Sequence, residues 1–133
     1  MDKTTLVEKQ IQEGKLFVSE LDKANLGIRA AFWLYDENDS SWKLYIASSS
    51  EKLNPEKDIL DSYRILTEIM RSIPNLYQIN PSDIVLISLD HPIIKNIGPL
   101  IQTGTEIVDI TFSNTLLNNI YVEGMYLYRM NVP

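Results

Sequence analysis

The chain has 133 residues, 44% of them hydrophobic and 23% charged, which suits one ordinary folded domain and lies far from the composition of a disordered chain. It contains no cysteine, so disulfides, thiolate metal sites and cysteine nucleophiles are excluded together. A net charge of −6 repels phosphate, and no cluster of Lys and Arg overrides that field, so nucleic acid is not an expected partner.

The first residues alternate charged and apolar side chains and give no apolar leader. The longest apolar runs, Ala30 to Tyr35 and Ile84 to Ile87, are far shorter than the ~18 residues a membrane helix needs. A cytoplasmic domain with no membrane contact is expected.

Val7, Ile11, Gly14, Val18 and Leu21 recur at steps of four and three, with Leu6 and Phe17 beside them, which predicts a helix over 5–24. Thr5 with Glu8 fits a capping box, and Asn25 and Gly27 supply a left-handed exit. Residues 28–35 and 42–48 are rich in aromatic and branched side chains and flank the polar turn 36–41, a β-hairpin pattern. Strict alternation puts Ile28, Ala30, Phe32 and Leu34 on one face of its first strand, and Arg29, Ala31, Trp33 and Tyr35 on the other.

Asn54-Pro55 offers a cap and a first-turn proline for a second helix carrying Ile59, Tyr63, Leu66, Met70 and Ile73, which ends before Pro74. Ile84 to Leu89 reads as a strand, and Asp90 with Pro92 starts a short helix that Gly98-Pro99 breaks. Residues 105–112 and 120–130 read as a last strand pair joined by a loop over 113–119; Gly124 marks a bulge or a close backbone approach. The expected architecture is one α+β domain of order αββαβαββ: a mixed sheet of about five strands with helices mainly on one face. Residues 1–67 carry 9 basic and 12 acidic side chains, while residues 68–133 carry 3 and 6. The charge-poor second half is therefore either interior to the monomer or part of a subunit or partner interface.

No residue set matches a known reaction centre. His91 sits at a strand-to-helix turn suited to a general base, but it has no second histidine and no Gly-x-Ser-x-Gly elbow to work with. Asp36, Asn38 and Ser40 mimic the first three ligands of a calcium loop; Ser41 and Ala47 then stand where glycine and a bidentate glutamate are required. Glu13-Gly14-Lys15 spells the acidic-x-Lys pair of metal-dependent nucleases, on a helix rather than a strand. The five glycines are scattered, so no loop cradles phosphate. Glu123 and Arg129 share strand parity and are a candidate polar pair.

Ala31-Phe32-Trp33-Leu34-Tyr35, Trp42-x-Leu44-x-Ile46-Ala47-Ser48 and Glu123-Gly124-x-Tyr126-x-Tyr128-Arg129 together resemble a group of small uncharacterised bacterial proteins, and the likeness runs over almost the whole chain. The resemblance implies a self-standing bacterial domain and assigns no residue a role.

The reading that follows is a non-catalytic protein-interaction or accessory module, with a protein partner or a second copy bound through Trp33, Tyr35, Trp42, Tyr126 and Tyr128. No cofactor, metal or catalytic set is expected. The alternative is a small hydrolase or nuclease using Asp36, Asp90 and His91 near one rim, with Glu123 or Arg129 assisting. Single-strand nucleic-acid binding through the hairpin aromatics is a third reading, opposed by the acidic balance.

Overall fold

The computed structural model describes residues 6–132. Its elements in chain order are α1 (Glu8–Lys23), β1 (Ile28–Asp36), β2 (Ser41–Ser48), α2 (Ile59–Ser72), β3 (Ile84–Ile87), α3 (Pro92–Ile97), β4 (Ile110–Leu117) and β5 (Ile120–Met130). They form the expected α+β arrangement, a five-stranded mixed sheet of order β3-β2-β1-β5-β4 in which only the β2–β3 pair is parallel.

Both faces of the sheet are covered, which is why β1 is apolar on both sides. One face packs Leu44, Ile46, Leu86 and Trp33 against Phe17, Val18 and Leu21 of α1 and Leu66 and Met70 of α2. The other packs Phe32, Ala47, Leu127 and Met130 against Ile93, Ile94 and Ile97 of α3. The second half is poor in charge largely because β5 is inside: Met125, Leu127, Tyr128 and Met130 have no exposed surface. Leu116 and Tyr121 at the β4–β5 tip and Leu100 are the large apolar side chains of that half, besides Tyr77, that stay exposed.

Bulges redistribute side chains that strict alternation would have placed elsewhere. The β1–β2 register shifts between Ile28 and Ala30, so Ile28 joins the cluster under α1 instead of the face shared by Ala30 and Phe32. The β1–β5 register shifts between Ala31 and Phe32. Consecutive residues Tyr128 and Arg129 then both reach α1, the first through Ile11 and the second through Asp22.

Helix ends follow local chemistry with two corrections. Thr5 lies outside the described residues; α1 starts at Glu8, where Gln10 Oε1 accepts the Val7 N–H at 3.3 Å. Asn25 and Gly27 make the left-handed exit at φ 57° and 59°. Asn54 does not cap α2: its side chain turns back to accept the Glu56 N–H, and Asp58, accepting from Asp61 N at 3.0 Å, is the cap. The strand expected over 105–112 begins at Ile110 and runs through the stretch read as a loop. Asn118 and Asn119, at φ 44° and 70°, form a two-residue turn of the kind that matches strand twist.

Two buried polar ties fix α1 on the sheet. Trp33 Nε1 donates to the Tyr128 hydroxyl at 2.9 Å, and that hydroxyl donates to the Ile11 carbonyl at 2.5 Å. Gly14 makes room for them, since a Cβ there would lie 2.5 Å from the Tyr128 oxygen and 2.9 Å from Trp33 Nε1. Arg129, 4% exposed, forms a bidentate pair with Asp22 at 2.8 Å on both arms. A third tie comes from Glu13, whose Oε1 accepts the Gln78 and Ile79 N–H groups and pins the segment after α2 to α1.

Gly14→Ala is expected to lower stability by about 2–3 kcal/mol in urea unfolding, the cost of overpacking plus disturbance of a buried hydrogen-bonded pair. Asp22→Asn strands the Arg129 charge; because the Asp22 side chain is 37% exposed, the loss should fall at about 2 kcal/mol, below the range for fully buried pairs. Either variant unfolding with the wild-type midpoint removes the corresponding tie from the account.

Candidate functional site

The β4–β5 hairpin changes face partway along. Ser113 pairs with Gly124 and Thr115 with Val122, but Asn114 between them stands at φ 46°, a left-handed residue inside a strand. Beyond it the alternation is reset: Val122 and Met125, three residues apart, pack in the same cluster. Asn114, Glu123 and Gly124 line an opening on the sheet surface here.

Trp42 of β2 fills that opening from across β1. A Cβ on Gly124 would lie 2.5 Å from the Trp42 ring, so the glycine is what lets the indole lie on β5, the close approach that its place in the strand pattern suggested. Tyr35 meets the same indole edge-on with centroids 5.5 Å apart. The result is a groove of about 410 Å³ floored by Trp42 and Gly124, walled by Leu6 and Ile11 on one side and by Phe112 and Tyr126 on the other. Tyr126 donates to Asp109 at 2.7 Å; burial and that carboxylate push its hydroxyl up to about 12.

Two polar atoms in this groove are closed to solvent and have no partner among the described residues: Trp42 Nε1, a donor, and Glu123 Oε2, an acceptor. Glu123 also lines a second depression of about 300 Å³ at the hairpin mouth, with Tyr35, Tyr45, Tyr121, Asp36 and Glu37. Its pKa is raised, first by desolvation and then by the neighbouring carboxylate of Glu37. Asp36 and Asp39 also push the Tyr45 hydroxyl up, after burial. Among the described residues none of Asp36, Glu37, Asp39 and Glu123 is in an ion pair, so this end of the sheet carries uncompensated negative charge.

The residues singled out in the sequence divide sharply. Trp33 and Tyr128 are wholly buried and hydrogen-bonded to each other, so they serve the core and offer nothing to a partner. Tyr35, Trp42 and Tyr126 are half-buried and belong to the groove and its rim. Asp36 and Glu123 share the mouth depression, whereas Asp90 and His91 follow β3 at the far end of the sheet. His91 caps α3, its Nδ1 accepting the Ile93 N–H at 3.1 Å, and burial lowers its pKa. Asp90 faces Lys95. Arg129 is committed to Asp22 and does not meet Glu123. The calcium-like triplet is a turn, in which Asp36 Oδ1 accepts the Asn38 N–H, and no group of three or more acidic or histidine side chains among the described residues is placed to hold a metal. No described helix is long and apolar enough to cross a membrane.

Comparison with protein-family models, with curated proteins and with solved structures finds no match to this chain.

The raised Glu123 value fixes the sign of a pH effect. A carboxyl whose folded pKa lies above its ordinary 4.5 contributes stability that is complete below that value and is lost as pH rises through the folded one. Glu123→Gln keeps the shape without the charge, so its stability should gain on the wild type as pH is raised from about 4 to 8 in urea titrations. A difference that stays constant across that range would mean that the surroundings of Glu123 do not raise its pKa.

Proposed function

We propose that this domain works by contact and not by reaction: it is a protein-interaction module that takes up an extended partner segment carrying an apolar side chain next to a basic one. The observation that carries this reading is the groove itself. Its floor is an indole face, its walls are apolar, and its mouth holds carboxylates that no cation of the described residues answers. An apolar side chain fits against the Trp42 ring, and Lys or Arg answers the mouth, where tyrosine faces add cation–π attraction.

The charge distribution favours a separate basic partner over a second copy, since two copies joined here bring their carboxylates face to face. A small hydrolase is supported by one observation, two carboxyls, Glu37 and Glu123, lining one depression, where burial raises the pKa of the second. It is the weaker reading because His91 and Asp90 lie far from that pair, which leaves it without a second reactive group. With the interaction reading we infer a cytoplasmic bacterial protein of the kind its aromatic stretches resemble.

Selection of random peptides on the immobilised domain tests this directly. Lys or Arg adjacent to an aromatic or large aliphatic residue should be enriched, and the selected peptides should bind less tightly as salt rises. Trp42→Ala should weaken them by at least about 2 kcal/mol, roughly thirtyfold in Kd. Peptides of no common chemistry, or binding indifferent to Trp42→Ala, would sink the proposal.

A further inference from the structure

At the opposite end of the sheet the chemistry reverses sign. A depression of about 500 Å³ lies between the exit of α1, the start of β1 and the end of β5, lined by Asp22, Asn25, Gly27, Arg29, Ser49, Thr105, Arg129 and Asn131. Arg129 and Asp22 cancel as a buried pair. Arg29, half-buried on the β1 bulge, has no ion pair and its guanidinium no hydrogen bond among the described residues. The local sum is therefore one positive charge on a chain whose net charge is −6. The side chains of Asn25, Thr105 and Asn131 likewise make no hydrogen bond among the described residues, and Ser49 makes only a long one of 3.4 Å to the Gly27 carbonyl.

We propose that this depression is a binding site for a small carboxylate, with Arg29 as the reachable fork and the neutralised Arg129–Asp22 pair as the fixed wall behind it. Arg129 has its two Nη atoms engaged and its Nε closed to solvent, so it contributes rigidity while Arg29 makes the contact. Arg29 presents a planar pair of donors that matches a carboxylate in bidentate geometry. A single net positive charge suits a monoanion better than a dianion, and the carbonyl end of α1, which carries partial negative charge, weighs further against a phosphate dianion. Uncommitted amide and hydroxyl groups around the rim supply the neutral donors that orient the rest of the ligand. The site is independent of the groove at the other end and stands whether or not that groove binds peptide.

Amide and Arg side-chain NMR of the full chain, titrated with sodium butyrate against sodium chloride at equal ionic strength, tests it. Saturable shifts confined to Asn25, Arg29, Ser49 and Asn131 are expected, with a midpoint on the order of millimolar for so small a probe. Arg29→Gln should weaken binding by about tenfold or more while leaving the spectrum of the core unchanged, and Arg29→Lys should recover part of it. Inorganic phosphate should bind more weakly than butyrate. Shifts that never saturate, that persist in Arg29→Gln, or that are matched by chloride would overturn the site; tighter binding of phosphate would overturn the assignment to carboxylates.

Discussion

A single missing side chain governs how this domain closes. Gly14 lies where α1 crosses β1 and β5, and only without a Cβ can the Tyr128 hydroxyl sit between the Trp33 indole and the Ile11 carbonyl. All three polar atoms lie in an apolar interior, where an unpaired donor or acceptor costs about 1–3 kcal/mol. The pairing therefore acts as a position lock: sliding α1 along the sheet would leave Trp33 Nε1 and the tyrosine without partners at once. The Arg129–Asp22 pair holds the other end of the helix, and the bulge in β5 is what lets neighbouring residues 128 and 129 supply both anchors.

The groove follows from that lock. With α1 fixed, Leu6 and Ile11 stand over the margin of β5 and form one wall, while a second glycine, Gly124, admits Trp42 as the floor. The left-handed Asn114 does two things at once. It turns the β4–β5 tip so that Glu123 faces the opening, and it interrupts the outer edge of β4, which as the last strand of the sheet presents unpaired backbone groups. At the other margin β3 is guarded differently: Tyr63 of α2 accepts the Leu86 N–H at 2.8 Å. Two of the four buried polar atoms without a partner among the described residues, Trp42 Nε1 and Glu123 Oε2, thus line the same groove as the left-handed Asn114.

Most of the fold was legible because it rests on periodicity and local turn chemistry. The stripe of α1 emerged from spacing, the β1–β2 hairpin from aromatic and branched runs about a polar turn, and the short helix from Pro92 and the Gly98-Pro99 break. Bulges were not legible, and they account for the misplacement of Ile28, whereas Glu123 and Arg129 are kept apart by their spacing of six residues along β5. One extra residue flips every side chain beyond it, and no residue type announces it. The end of β4 was obscured because Ser113, Asn114 and Thr115 look like loop, while the Asn118-Asn119 pair, a recognisable two-residue turn, was the overlooked sign of where the hairpin reverses. Of the aromatic residues chosen as contacts, exposure could not be read from type: Trp33 and Tyr128 satisfy each other inside, whereas Trp42 has an unpaired N–H at the groove.

The two ends of the sheet are electrically distinct, and that separation is built into the topology. β1 and β5 are antiparallel neighbours, so the β1 end that carries Asp36 and Glu37 lies beside the start of β5 at Glu123, and the β1 start at Arg29 lies beside Arg129. Six strand residues span about 20 Å, more than twice the screening length of about 8 Å at physiological salt, so neither end neutralises the other. A net charge of −6 therefore describes the molecule poorly: it presents an acidic, tyrosine-lined mouth at one pole and a lone uncompensated arginine at the other. Each pole attracts ions of opposite sign independently, and the rigid core between them keeps both arrangements fixed, so neither site need reorganise to meet a ligand.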